Sequence, residues 1–142
     1  MATFQVVDEF ANFLGRARDN LATDSFRAVL ALTAPTKAGT TILTDITQIA
    51  GTGGYASVLL TGVAWVETGA GTGIWQFSSN AFSWTVSGAD FASARYVAIY
   101  DDTSTNDDVV GFVDYGASFI VTNGNTFTVT PGANGIFRAT VL

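Results

Sequence analysis

Two residue types are missing from this chain of 142 residues, cysteine and histidine. Without cysteine it has no disulfide, no thiolate nucleophile and no cysteine-bound zinc. Without histidine it has no Ser-His or Cys-His catalytic pair and no imidazole metal ligand. Most familiar hydrolase designs are excluded, so we expect a protein that is not an enzyme, with no catalytic residue, no cofactor and no bound metal.

Positive charge is also scarce, because twelve acidic residues face six basic ones and the net charge is −6. The two signs balance within residues 1–38, so the excess acid belongs to the rest of the chain. An acidic body repels phosphate backbones, and nucleic acid is therefore not an expected partner. A membrane is not expected either, since no run of eighteen apolar residues exists. The opening "MATFQVVDEFANF" has acids where a secretory signal has basic residues, which predicts synthesis in the cytoplasm.

The first twenty-odd residues have helical periodicity. Asp8 and Glu9 open the segment and Arg16 and Arg18 close it, an order that complements a helix dipole. Gly15 in the middle costs about 1 kcal/mol relative to alanine. Apolar residues recur at spacings of three and four and predict one helix from about Val6 to Leu21, with a stripe made of Val6, Phe10, Phe13 or Leu14, Ala17 and Leu21.

From Ser25 onward the period changes to two. Short segments rich in β-branched and aromatic residues are separated by Gly, Asn, Asp or Ser, a pattern typical of strands. "DDTSTNDD" and "TNGNT" look like hairpin connections between such segments. This spacing predicts one domain over residues 1–142, a mainly β, antiparallel β-sandwich (jelly-roll-like) with one N-terminal α-helix, in which residues 1–24 form an arm and the helix. The strand segments are "SFRAVLALT", "LLTGVAWVE", "IWQFS", "AFSWTV", "ARYVAIYD", "VVGFVDY", "SFIVT", "TFTVT" and "GIFRATV".

The glycine cluster in "DITQIAGTGGYASV" could cradle a phosphate or could form a corner. A phosphate loop needs a helix after it and usually a lysine. Here a strand-like run follows, and the single lysine is Lys37. We therefore predict a corner, in which the glycines permit positive φ at the entry to a strand.

The acids have milder interpretations than catalysis. Asp101 to Asp108 supply the oxygen donors that calcium prefers, but the segment lacks the glycine and distal glutamate of an EF-hand, so a solvated hairpin tip is favoured. Asp114 is interpreted as a satisfied hydrogen-bond acceptor. Only Glu9 and Glu67 are glutamates, which leaves little for glycoside cleavage. The aromatic residues could form a sugar-stacking face, but their alternation favours a sandwich core; they are Trp65, Trp75, Trp84, Tyr55, Tyr96, Tyr100 and Tyr115.

Several segments together resemble a family of small virion proteins of tailed bacteriophages, over residues 10–142. They are "TDSFRAVLALTAP", "LTDITQIAGTGGY", "FSWTVSGADFASARYVAIYDD", "VVGFVDYGASFIVTNGNTFTVTP" and "NGIFRATVL". The resemblance implies a structural role on the virion. The acidic charge suits the outer surface of the capsid rather than the inner wall that faces DNA. We therefore expect a capsid decoration (cement) protein that bridges and stabilises capsomers; the alternative is a tail- or fibre-associated module that binds a host-surface glycan.

Expected partners are the major capsid protein and further copies of this chain, the latter as a homotrimer by analogy with other cement proteins. The arm "MATFQV" is expected to have no strand partner. The helix stripe must be buried, either on its own sandwich or on a neighbouring subunit. The residues predicted to bind a partner are Phe4, Val6, Phe10, Phe13 and Leu14.

Overall fold

The chain folds into antiparallel β-sheets with one α-helix near its N-terminus, which confirms the predicted fold class. The structure, a computed structural model, describes residues 2–141, so Met1 and Leu142 of the predicted domain lie outside the described residues. A single 3-10 turn covers Leu43–Asp45. The elements are β1 Phe4–Val6, α1 Asp8–Gly15, β2 Phe26–Ala31, β3 Val58–Leu59, β4 Ala64–Glu67, β5 Ile74–Ser78, β6 Phe82–Thr85, β7 Ala94–Asp101, β8 Asp108–Phe119, β9 Thr126–Val129 and β10 Phe137–Thr140.

The strands are divided among three sheets. The largest has the order β1-β8-β7-β2-β3, the second has the order β10-β5-β4, and the third contains β6 and β9. Neighbouring strands pair antiparallel throughout. The antiparallel β-fold is thus built from one five-stranded sheet and two smaller ones.

One aromatic core joins the first two sheets. Phe26 on β2 meets Phe77 on β5 with ring centroids 5.0 Å apart, and both side chains are fully buried. Phe137 on β10 contacts Phe77, Phe10 of the helix and Phe4 of the first strand. Burial of each such ring stabilises the fold by roughly 1.5–3 kcal/mol. Strands, helix and arm therefore share a single hydrophobic core.

The helix is shorter than the periodicity predicts. It ends at Gly15, and Ala17 adopts a left-handed conformation with φ of 52°. The N–H groups of Ala17 and Arg18 then donate to the carbonyls of Leu14 and Phe13, both at 3.0 Å, which closes the last turn. Leu21 is buried, but from the loop that follows. The predicted helix to Leu21 is wrong beyond Gly15, because burial of an apolar residue does not require the chain to stay helical.

The N-terminal arm has a strand partner, so that prediction was wrong. Residues 4–6 form β1, which pairs antiparallel with β8 so that Phe4 lies opposite Val113. The N–H of Val7 continues the pairing by donating to the carbonyl of Val110 at 3.1 Å. A side chain at Gly111 would overlap the Phe4 ring, so glycine there permits the close approach. The arm is therefore one edge of the main sheet.

The two predicted hairpins have different outcomes. "DDTSTNDD" does connect the paired strands β7 and β8. "TNGNT" does form a tight turn, in which Gly124 has φ of 85° and the Asn125 N–H donates to the Thr122 carbonyl. However, the strands that flank this turn, β8 and β9, lie in different sheets, so it is not a hairpin. "VVGFVDY" and "SFIVT" are also not separate strands, because β8 covers the first and continues to Phe119 in the second, with positive φ at Gly116.

Candidate partner-binding surface

The five residues predicted to bind a partner lie in two different environments. Phe10 and Phe13 face the core of their own chain and are 1% and 5% exposed. Phe4, Val6 and Leu14 are half-buried and pack at its margin. Most of the stripe is thus buried on its own sandwich, and the surface that remains for a partner lies at Phe4, Val6 and Leu14.

A groove opens beside Leu14, at the end of the helix. We call it the helix-end groove; its volume is about 340 Å³ and its lining consists of Leu14, Ala17, Asp19, Asn20, Leu21 and Trp65. The helix end and the loop after it form one wall, and β4 supplies the other through Trp65. The left-handed residue Ala17 turns the chain so that the loop can form this wall. Sequence reasoning missed the groove because the predicted long helix would have placed these residues along one straight stripe.

Two stacked tryptophans extend the groove toward solvent. The rings of Trp65 and Trp75 lie 5.9 Å apart with an angle of 22° between their planes. Trp75 is 37% exposed, which is high for so large an apolar side chain. Facing strands place them together, because Trp75 lies opposite Glu67, two residues after Trp65. The pair offers a flat aromatic surface that suits either a protein contact or a sugar ring.

Most other aromatic candidates lie in the core, as their alternation predicts. Trp84, Tyr96 and Tyr100 are each less than 7% exposed. Trp84 donates its indole N–H to the Ala56 carbonyl at 3.0 Å. Tyr55 accepts from the Leu30 N–H at 2.9 Å, and burial raises its pKa to about 12. These residues are fixed by structural contacts and do not form a continuous sugar-binding face with Trp75.

The glycine cluster is the predicted corner. Gly53 and Gly54 have φ of 66° and 76°, and the next regular element is the strand β3. A Cβ at Gly53 would lie only 2.5 Å from the Ala89 carbonyl oxygen. Glycine is therefore required here both by the backbone conformation and by the close approach of a second loop.

Asp114 and Glu67 are occupied by structural hydrogen bonds. Asp114 accepts from the Arg95 guanidinium at 2.7 and 2.8 Å and from the Gly116 N–H at 2.7 Å. The Arg95 hydrogen bond, followed by that of Gly116, holds the Asp114 pKa below its usual value. Glu67 accepts from the N–H groups of two glycines in the turn between β4 and β5. The predicted interpretation of Asp114 as a satisfied acceptor is confirmed.

The acids of the β7–β8 hairpin are not all at a solvated tip. Asp102 is exposed and Asp107 is half-buried, but Asp101 and Asp108 are fully buried. The tip interpretation is thus wrong for Asp101 and Asp108, because the loop that follows the helix covers them. With two acids of that loop they form what we call the acid cluster: Asp19, Asp24, Asp101 and Asp108. Within residues 2–141, no three acidic side chains converge as a metal-binding group.

Comparison with known proteins gives no relative for this chain. No protein-family model, curated protein or solved structure matches it significantly. In the part of the chain that the structure describes, no helix has the length and apolar character needed to cross a membrane. The resemblance to phage virion proteins thus stays a prediction, and the argument for function depends on the surface described above.

Proposed function

We propose that this protein is a structural protein of a bacteriophage virion, a decoration protein that sits on the outer surface of the capsid and bridges neighbouring capsomers. The sequence resemblance and the acidic charge support this role. The observation that carries the proposal furthest is the helix-end groove together with the exposed Trp75, which stacks on the groove residue Trp65. Leu14, one of the five residues predicted to contact a partner, lines this groove.

The chemistry of the helix-end groove suits a protein partner. Tryptophan is enriched among the residues that dominate binding energy at protein interfaces, and Trp75 remains 37% exposed in the free chain. Leu14 and Leu21 supply an aliphatic floor next to it. A partner side chain inserted into a groove of about 340 Å³ would cover this apolar surface. The major capsid protein is the partner that the proposed role requires.

Charge supports one orientation on the shell. The N-terminal residues 1–38 carry four acids and four basic residues, whereas the remainder carries eight acids and two basic residues. Arg16 and Arg18, beside the groove, are exposed. Docking through the near-neutral N-terminal region directs the acidic body away from the shell. Its carboxylates then face solvent rather than any acidic groups of the capsid surface.

Open strand edges favour self-association. The edges of the second sheet are β4 and β10, and neither contains lysine or proline, which commonly protect an edge from pairing. Val66 on β4 is 51% exposed, and Val141, directly after β10, is 73% exposed. Pairing of these edges between copies would give the oligomer expected of a bridging protein; a homotrimer, by analogy with other cement proteins, is the form we propose.

Binding to undecorated capsids tests this proposal directly. Trp75→Ala should weaken binding on the order of 10–100-fold, because it removes the central aromatic contact. Ile120→Ala is the matched control, since Ile120 is 58% exposed and belongs neither to the groove lining nor to the stacked tryptophan pair. Sedimentation of capsids with labelled protein measures both affinities. Equal binding of the two variants and the wild type would contradict docking through the groove.

The stacked tryptophans give the glycan-binding alternative a specific basis. The exposed ring of Trp75 can stack on a sugar ring, and Asn20, which lines the groove with Trp65, can bond sugar hydroxyls. On that alternative the protein belongs to the tail or a fibre. Calorimetric titration with host-surface glycans distinguishes the two: saturable binding that Trp75→Ala abolishes, without binding to capsids, would favour the adhesion module.

A further inference from the structure

The connection between α1 and β2, residues 16–25, meets the hairpin of β7 and β8 at a buried interface, which we call the seam. The two parts are far apart in sequence. The Ser25 N–H donates to Thr103 Oγ1, and the Asp102 N–H donates to the Ser25 carbonyl, both at 2.8 Å. These backbone contacts hold one end of the connection, and the acid cluster lies along the rest.

The acid cluster consists of two carboxyl pairs across the seam. Asp19 faces Asp108 closely enough for a hydrogen bond between the carboxyls once one of them carries a proton. Asp24 faces Asp101 in the same way. Asp101 and Asp108 are also directly opposite each other on β7 and β8. Like charges in such cross-strand positions destabilise a sheet, so four ionised carboxylates are a poor arrangement for this seam.

Several oxygens of the acid cluster have no partner. Asp19 is 4% exposed, and neither of its carboxyl oxygens has a hydrogen bond. Asp101 and Asp108 are fully buried, and each has one oxygen without a partner. Arg18 bonds the other oxygen of Asp108 at 2.5 Å. One guanidinium cannot neutralise this group, and an unpaired buried carboxylate costs several kcal/mol.

We propose that shared protons close this seam. In each pair one carboxyl is protonated and donates its O–H to the facing carboxylate. This hydrogen bond holds residues 16–25 against the hairpin. Loss of these protons as the pH rises leaves facing negative charges and releases residues 16–25. A proton suits the geometry better than a divalent cation, because the acids of residues 2–141 meet in twos rather than three around one point.

The ionisation behaviour of the acid cluster agrees with this arrangement. Burial, reinforced by the charge of Asp108, raises the pKa of Asp19 to about 7. Burial, together with the facing carboxyl of Asp24, raises the pKa of Asp101 to about 7. Arg18 opposes the shift at Asp19 but does not cancel it. The other acids on the hairpin are Asp102, which is exposed, and Asp107, which is half-buried.

The sign of the effect follows from proton linkage. A carboxyl whose pKa is about 7 in the closed seam and 3.8 when released binds its proton more tightly in the closed form. Closure is therefore favoured at low pH and is progressively lost as the pH rises from about 4 to 7. One such carboxyl makes opening on the order of 100-fold more frequent at pH 8 than at pH 5. Since residues 17 and 19–21 also line the helix-end groove, release would widen it.

Hydrogen exchange of the backbone amides measures the opening without any partner, so the result does not depend on the virion role. Exchange rates corrected for intrinsic chemistry are compared at pH 5 and pH 8 for residues 19–25. Protection there should fall by at least about 100-fold, the effect of one shared proton, while that of β2 stays constant. Equal protection of residues 19–25 at both pH values would overturn the proposal.

Two matched variants separate protonation from simple packing. Asp19→Asn and Asp101→Asn each replace a carboxyl by a neutral group that can still donate to the facing acid, so each should remove much of the pH dependence. Asp102→Asn lies on the same hairpin but is exposed, and it should behave like the wild type. If Asp19→Asn or Asp101→Asn keeps the full wild-type pH dependence of protection, the carboxyl it replaces does not hold a shared proton and the proposal fails.

Carbon NMR of the aspartate carboxyls provides a readout that needs no variant. At least one resonance of the acid cluster should titrate with a midpoint near pH 7. Titration of all buried carboxyls below pH 5 would contradict the proposal. The last measurement adds about 5 mM calcium chloride at pH 8. If calcium restores protection of residues 19–25, a cation rather than a proton neutralises the seam and the proposal is wrong.

Discussion

The central strands β2 and β7 and the C-terminal strands β9 and β10 all contain β-branched or aromatic residues but differ in burial. Seven of the eight residues of β7 are buried, whereas none in β9 or β10 is. The difference comes from position, because β7 lies between β8 and β2 in the main sheet, and β10 is an outer strand of a smaller one. Composition reflects this: "RYVAIY" is apolar on both faces, but "TFTV" alternates. The comparison separates a buried framework from a more exposed periphery.

The largest expected effect is in the framework. Phe26→Ala on β2 removes a fully buried ring that packs on Phe77, and it should lower the free energy of unfolding by about 3–5 kcal/mol. The matched change on a C-terminal strand is Phe127→Ala, whose ring is only half-buried. It should cost roughly half as much. Urea denaturation measures both, and equal losses would show that the two regions do not differ as their burial indicates.

A smaller loss of stability is expected from removal of the arm, whose strand β1 pairs with β8. Removal of residues 1–6 deletes β1, its pairing with β8 and the contact between Phe4 and Phe137. We expect a loss of about 2–4 kcal/mol in unfolding free energy, because backbone hydrogen bonds and apolar burial disappear together. Gln5→Ala, an exposed change on the same strand, should cost less than about 0.5 kcal/mol. A truncated chain as stable as the full one would mean that β1 is not an integral strand.

Much of the framework could be predicted, because the residue types that favour strands and turns are visible in short stretches of the sequence. β-branched and aromatic residues between turn-forming residues gave the positions of β2 and β4 to β7. The arm was missed although Phe4, Gln5 and Val6 alternate, since three residues are too few to reveal a strand before its partner is known. The end of the helix was missed because a left-handed alanine at Ala17 has no signature in the sequence.

The candidate sites were harder to predict, because long-range contacts create them. The stripe residues Phe10 and Phe13 were identified as apolar, but only the fold shows that they face their own core. Asp19 and Asp108 are 89 positions apart, so neither their burial nor their contact follows from local pattern. The groove likewise depends on where β4 meets the helix end. Sequence pattern identifies strands and turns, whereas a site formed between distant segments requires the tertiary structure.

The central claim, that the chain decorates the outside of a capsid, is tested most directly by counting and locating it on purified virions. Quantitative mass spectrometry gives the number of copies relative to the major capsid protein, and electron microscopy with labelled antibody gives the position. We expect a copy number in proportion to the capsomer contacts, with label over the whole head. A few copies per particle, with label confined to the tail, would contradict the claim and favour the glycan-binding module.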